Sequence, residues 1–352
     1  MTMQRRNLAF RPNHQATYYF IFFNDWGTEF MPTPIDFELK AALDVAPTLP
    51  LGSTDGLDHR ALRDSYEAAG RASRTPHSAL LVVDDHRFAS HGGRSVALRL
   101  YRPQRERGAN ARPAMIYLHG GGWVVGSIET HDAIAAALAT RAGVVVASIE
   151  YSLAPEYPYP AAVEDVEAAM AWLTEHADAF GLDPKRIAIG GDSAGANLAA
   201  SACIRARDAG DAHRFAAQML IYPVMDCDAS RASIRDNADA PVLSAALLRW
   251  FIDRYVGKVA DDPTWRDPSA FPMHAESLAG LPQAFVVTAG HDPLCDEGIA
   301  YAARLVRERV NVTVRHAPDL THGFMRYRAA SRRANQEFDA TCAWLAATLG
   351  EN

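Results

Sequence analysis

The sequence predicts an α/β protein built on a mostly parallel sheet. From about residue 79 onward, short β-branched runs alternate with longer Ala/Leu-rich helical patterns. The runs are continuously apolar rather than alternating, as strands covered on both faces must be. Composition agrees: of 352 residues, 49% are hydrophobic and 22% charged, enough for a large buried core and unlike a disordered chain.

Taken in order, residues 1–30 differ in character from the rest of the chain. Arg5 and Arg6 precede a short aromatic run over residues 17–23, and Asn24-Asp25-Trp26 comes next with no small-residue cleavage site. That is a poor secretory leader, and the expectation is a flexible extension over 1–30 on a cytoplasmic protein. Met31-Pro32 opens a helical segment, residues 31–78. The main domain is expected over 79–350, with strands at 95–101, 114–118, 144–149, 186–189, 218–222, 284–288 and 311–315. Helices are expected at 132–141, 161–180, 194–208, 297–309 and 331–349. Residues 226–280 break the alternation with a helical insertion, including an aromatic helix over 244–256. With residues 31–78 this insertion is placed as a cap over the carboxyl edge of the sheet, where open α/β sheets bind ligands.

Composition also excludes partners. The net charge of -7 comes without a basic patch, so nucleic acid is not expected. No stretch approaches the roughly 18 apolar residues of a membrane span. Cys203, Cys227, Cys295 and Cys342 lie far apart with no C-x-x-C pair, which reads as reduced thiols rather than disulfides or a metal site.

The strongest local signal is Gly191-Asp192-Ser193-Ala194-Gly195, between an apolar strand and an Ala-rich helix. The flanking glycines permit the tight turn that lifts a serine hydroxyl above a sheet, with a helix N-terminus behind it. A phosphate loop is excluded because Ala196-Asn197 stand where Lys-Ser/Thr is required, and a dinucleotide fingerprint because Val125 replaces its third glycine. The second signal is His119-Gly120-Gly121-Gly122-Trp123, directly after a strand. Consecutive glycines leave backbone N–H groups uncovered, which suits a developing oxyanion, and His119 with Gly120 is assigned to supporting that loop.

A serine nucleophile needs a base, and the base a carboxylate to orient it. Asp292 comes after the apolar run 284–288 at the strand end that faces the serine, with Asp296 the alternative. His322 lies between the last strand and the C-terminal helix, with His316 and His291 less well placed. Trp123 and Asp192 are assigned to the substrate pocket, and Trp250 and Phe251 either wall it or pack in the core.

These residues resemble the bacterial hormone-sensitive-lipase family (family IV) of esterases, α/β-hydrolases marked by His-Gly-Gly-Gly and Gly-Asp-Ser-Ala-Gly. The likeness runs over residues 80–350 and includes Tyr151-Ser152-Leu153-Ala154-Pro155-Glu156, Asp292-Pro293-Leu294, Asp296-Glu297 and His322-Gly323-Phe324. The resemblance implies the α/β-hydrolase fold with a helical cap. It makes Ser193 the nucleophile, Asp292 the acid and His322 the base, with the amides of Gly121, Gly122 and Ala194 as the oxyanion hole. It implies ester hydrolysis and a homodimer through the last strand and C-terminal helix. Side chains and backbone amides supply that chemistry with no cofactor and no metal, and a chain without an export signal fits small-molecule substrates, short- to medium-chain acyl esters. The same triad serves amide or carbamate hydrolysis. A silent receptor, as in the plant gibberellin receptors of similar sequence, lacks the histidine that stands here as His322. Two departures are Ser152 in place of the family's usual arginine and the extension 1–30.

Overall fold

A computed structural model describes residues 33–46, 54, 56–74, 76–104, 110–257 and 266–350. The expected extension over 1–30, and the start at Met31, lie outside them. Two helices come first, α1 (Phe37–Val45) and α2 (His59–Ala72). Each opens on an aspartate whose carboxylate accepts from a first-turn amide, Asp36 from Leu39 at 2.9 Å and Asp58 from Arg60 at 3.1 Å. An antiparallel pair comes next, β1 (Leu81–Ala89) and β2 (Ser95–Pro103), and then β3 (Arg112–Leu118), α3 (Ile128–Ala142) and β4 (Val145–Glu150). The next repeats are α4 (Ala161–Glu175), α5 (Ala177–Phe180), β5 (Leu182–Asp192), α6 (Ala194–Asp208) and β6 (Ala217–Ile221). The insertion contributes α7 (Ala232–Asp236) and α8 (Ala245–Tyr255). The chain then adds β7 (Gln283–His291), α9 (Cys295–Arg307), β8 (Val312–Thr321) and α10 (Arg332–Leu349).

The strands form one sheet in the order β1-β2-β4-β3-β5-β6-β7-β8. β2 runs antiparallel to both neighbours, and every pairing from β4 to β8 is parallel. The order turns back at β3: the chain leaves it for β4 on one side and returns as β5 on the other. Such a reversal opens a crevice at the carboxyl ends of the strands, which is where α/β sheets place their ligands. Register brings the two glycine motifs to that crevice, because Leu118 at the end of β3 pairs with Gly191 near the end of β5.

Apolar residues fill both faces of the sheet. Ile116, Ile149, Ile189 and Val286 point into the layer that holds α4, α6, α8 and α9. Met115, Val146, Met219 and Phe285 face α1, α3 and α10. The four cysteines are free, three of them buried. Around Ser152, an arginine from another part of the chain serves the nearby acids: Arg94 pairs with Glu164 at 2.8 Å and Asp165 at 3.1 Å, while Ser152 N–H donates to Asp165 at 2.8 Å.

Two expectations change. β1 is a strand that the sequence pattern did not mark. The helix expected over 161–180 breaks at His176, and Gly181 closes its second piece in the left-handed conformation at φ 63°.

Candidate active site

Ser193 sits between β5 and α6 with φ 56° and ψ -120°, a strained conformation for a residue with a side chain. The turn is tight enough that only glycine fits on both sides of it. A Cβ on Gly191 or Gly195 would lie 2.1 or 2.0 Å from the carbonyl oxygen of Leu118. Ser193 N–H donates to Ile221 O at 2.9 Å, which ties the turn to β6.

Asp292 and His322 stand directly after β7 and β8. His322 Nε2 lies 2.9 Å from Ser193 Oγ, and His322 Nδ1 lies 2.8 Å from Asp292 Oδ2. A carboxylate only accepts, so the ring proton belongs on Nδ1, and Nε2 is left to accept from the serine hydroxyl. Leu294 N–H donates to the other oxygen of Asp292 at 2.9 Å, which fixes the carboxyl plane. All three side chains are buried. The rival groups are held elsewhere: Asp296 accepts from Ser233 N–H at 2.8 Å, His291 Nε2 is 2.7 Å from Thr33 O, and His316 Nδ1 is 3.0 Å from Thr288 Oγ1.

The glycine loop runs past the serine on the β3 side. Gly120 N–H donates to Asp192 Oδ1 at 2.9 Å, and Tyr151 O–H donates to His119 O at 2.7 Å. His119 is fully buried, stacked on Tyr151 at 4.2 Å between ring centroids and on His131 at 5.5 Å. Burial, and then repulsion from His131, push its pKa down to about 3, so it stays neutral and packs rather than transferring protons. The amides of Gly121 and Gly122 meet no acceptor among the described residues. The amide of Ala194 is the first of α6 and has no acceptor within the helix.

Two pocket assignments are corrected. Trp123 is fully buried, stacked face to face on Tyr255 at 4.2 Å with the rings 3° apart. Large apolar area and a flat partner make it core. Asp192 is equally enclosed. Its carboxylate accepts from Tyr117 O–H at 2.7 Å and Gly120 N–H at 2.9 Å, with Tyr222 O–H at 3.4 Å and His131 Nε2 at 3.5 Å. Trp250 is also core, while Phe251 abuts the glycine loop, since a Cβ on Gly122 would fall 2.2 Å from its ring. Sequence reasoning missed Tyr222, whose ring lies 4.8 Å from that of His322, and Arg63. Arg63, on α2, donates to Val124 O at 2.6 Å, Ala154 O at 2.7 Å and Glu156 at 2.7 Å. Neither has a local motif, because each acts across long sequence separation.

Among the described residues no cluster of three or more His, Cys, Asp or Glu is arranged to hold a metal ion, and no helix is long and apolar enough to cross a membrane. The sheet order, and a serine, acid and histidine delivered in that chain order to strand ends beside a glycine loop, define the class: an α/β hydrolase. Comparison with known proteins agrees and narrows it. The family described as the α/β hydrolase fold matches residues 115–326. Carboxylesterase NlhH of Mycobacterium tuberculosis is 38% identical over 83% of this chain and 89% of its own. Ethyl acetate hydrolase of Pseudomonas putida is 37% identical over 85% of this chain and 92% of its own. An ester hydrolase from the metagenome of Lake Arreo, complexed with a bipyridine phosphonate derivative, superposes with a TM-score of 0.82 at 36% identity, covering 90% of this chain and 100% of that one. The chain belongs to the hormone-sensitive-lipase-like family of α/β hydrolases and is a carboxylic-ester hydrolase.

Proposed function

We propose that the protein hydrolyses short- to medium-chain acyl esters through an acyl-enzyme, with Ser193 as nucleophile, His322 as base and Asp292 as the acid that orients it. The observation that carries this reading is His322 bridging Ser193 at 2.9 Å and Asp292 at 2.8 Å. Ser193 Oγ attacks the carbonyl carbon as its proton passes to His322 Nε2, and Asp292 stabilises the imidazolium. The amides of Gly121, Gly122 and Ala194 donate to the tetrahedral oxyanion, each worth about 2.7–4 kcal/mol of barrier. His322 then protonates the departing alcohol, and water repeats the attack to free Ser193. The Lake Arreo relative is complexed with a bipyridine phosphonate derivative, and the tetrahedral phosphorus of a phosphonate has the shape of the intermediate such a site favours. Helices α1 and α2 with α7 and α8 act as the cap over this centre.

The test uses p-nitrophenyl esters of increasing acyl length with Ser193→Ala in parallel. The expected result is an optimum at short to medium chains, and a loss of kcat on the order of 10⁴- to 10⁶-fold in the variant. A folded variant that keeps its rate would remove Ser193 from the mechanism. We also propose a homodimer through β8 and α10. β8 ends the sheet with its outer edge unpaired among the described residues, and Val314 on it is 40% exposed. Sedimentation showing only monomer at micromolar concentration would refute the pairing.

A further inference from the structure

A cavity of about 870 Å³ lies between α2, α3 and the segment just after His322. Its volume falls in the range of small-molecule sites. Neither Ser193, Asp292 nor His322 lines it. Ala69 of α2 with Ile134 and Ala137 of α3 give it an apolar wall, and no Asp or Glu is among the described lining residues. Three guanidinium groups do line it, and Arg141 is already paired, donating to Asn335 Oδ1 at 2.8 Å and to Asp339 Oδ1 at 2.5 Å. Arg328 is occupied, donating to Ala133 O at 2.6 Å and Met325 O at 3.4 Å. Arg326 pairs with no described carboxylate, and its guanidinium carbon lies 4.1 Å from the centroid of the Tyr66 ring.

A cation set in a largely apolar wall, with no carboxylate in direct contact but with open space before it, favours an incoming anion. The planar fork of arginine matches a carboxylate, and the alanine wall beyond it matches an alkyl or aryl body. We propose that this cavity is a binding site for an amphipathic monocarboxylate, its carboxylate on Arg326 and its apolar body along α2 and α3. The site is separate from the triad. Tyr66, which lines the cavity, stacks at 6.3 Å on His131, whose Nε2 lies 3.5 Å from Asp192 Oδ1. The acid that esterolysis releases and an acid of other origin carry the same chemistry.

The test is calorimetric titration of sodium decanoate into the full chain after Ser193 has been blocked with a p-nitrophenyl phosphonate. One decanoate should bind per blocked chain, decanol should bind far more weakly, and Arg326→Met should weaken decanoate about 10- to 100-fold. Ala137→Phe fills the cavity from a partly exposed position and should abolish binding, which keeps the test open if Arg326→Met fails to fold. The proposal is overturned if the phosphonate displaces decanoate, if decanol binds equally well, or if both folded variants bind as the wild type does. Repeating the titration over acids of different length separates the sources. Binding that tracks the acyl optimum of hydrolysis marks the enzyme's own product, and binding that ignores it marks another acid.

Discussion

Asp192, one residue before Ser193, organises the glycine loop rather than the substrate. Burial alone would raise its pKa, but His131 and the hydrogen bonds from Tyr117 and Gly120 outweigh it and hold the carboxyl well below the usual range. It therefore stays an acceptor surrounded by donors. Asp192→Asn keeps the shape but turns one acceptor into an NH₂ that faces a donor, and leaving such a buried group unsatisfied costs about 1–3 kcal/mol. The expected outcome is a Tm drop with kcat down about 10-fold and KM little changed, because the loop amides lose their aim rather than the pocket its shape. An unchanged kcat would show that the loop holds its position without this anchor. Gly122 sets a harder limit. Its φ of 57° is left-handed, and an added Cβ would fall 2.2 Å from the Phe251 ring. Gly122→Ala should lose activity by on the order of 100-fold or more even where it folds, as judged by circular dichroism beside the ester assay.

At the scale of elements, α8 is what presses on that loop. Tyr255 at its C-terminal end stacks on Trp123, and Phe251 one turn earlier meets Gly122. The Tyr255 hydroxyl is buried with no hydrogen-bond partner among the described residues. Tyr255→Phe should therefore be neutral or raise Tm, whereas Tyr255→Ala should cost about 3–5 kcal/mol and lower kcat with it. A large loss of Tm in Tyr255→Phe would mean the hydroxyl is satisfied. The parallel strands were legible because both their faces are buried and their apolar runs are unbroken. β1 was not, because it lies at the sheet edge and carries Asp84-Asp85-His86-Arg87, charges an edge strand tolerates and a pattern search reads as loop. Ser193, Asp292 and His322 were legible because motif and chain order select them one by one. The burial of Trp123 and the anchoring by Asp192 were not, since both depend on α8, Tyr117 and His131, which no spacing connects to them.

For the molecule as a whole, carboxyls with displaced pKa values divide into two sets that set opposite limits on stability. In one set, Glu156 lies at about 2, held there first by Arg63. Glu308 is also near 2: burial would raise it, but bonds from Ser277, Leu278 and Arg304 prevail. Stability from these groups is present above their unfolded pKa and is lost as pH falls toward 2. In the other set, burial and then Asp226 raise Glu297 well above its ordinary value. Burial, together with repulsion from Glu67 and Glu129, raises Glu150 from 4.5 to about 7, even though Ile128 N–H donates to it at 2.7 Å. For Glu150 the folded state holds the proton more tightly than the unfolded one between these values. Its contribution is thus complete below pH 4.5 and is lost as pH rises through about 7, an effect of up to about 3 kcal/mol. Glu150→Gln fixes the neutral form and still accepts from Ile128. Urea unfolding of both proteins from about pH 4 to 8.5 should show wild type losing stability relative to the variant as pH rises, most steeply between the two values and levelling off above about 7. Parallel curves would mean that Glu150 is already ionised in the folded protein at neutral pH, solvated through the outer end of β4 rather than sealed beneath α3.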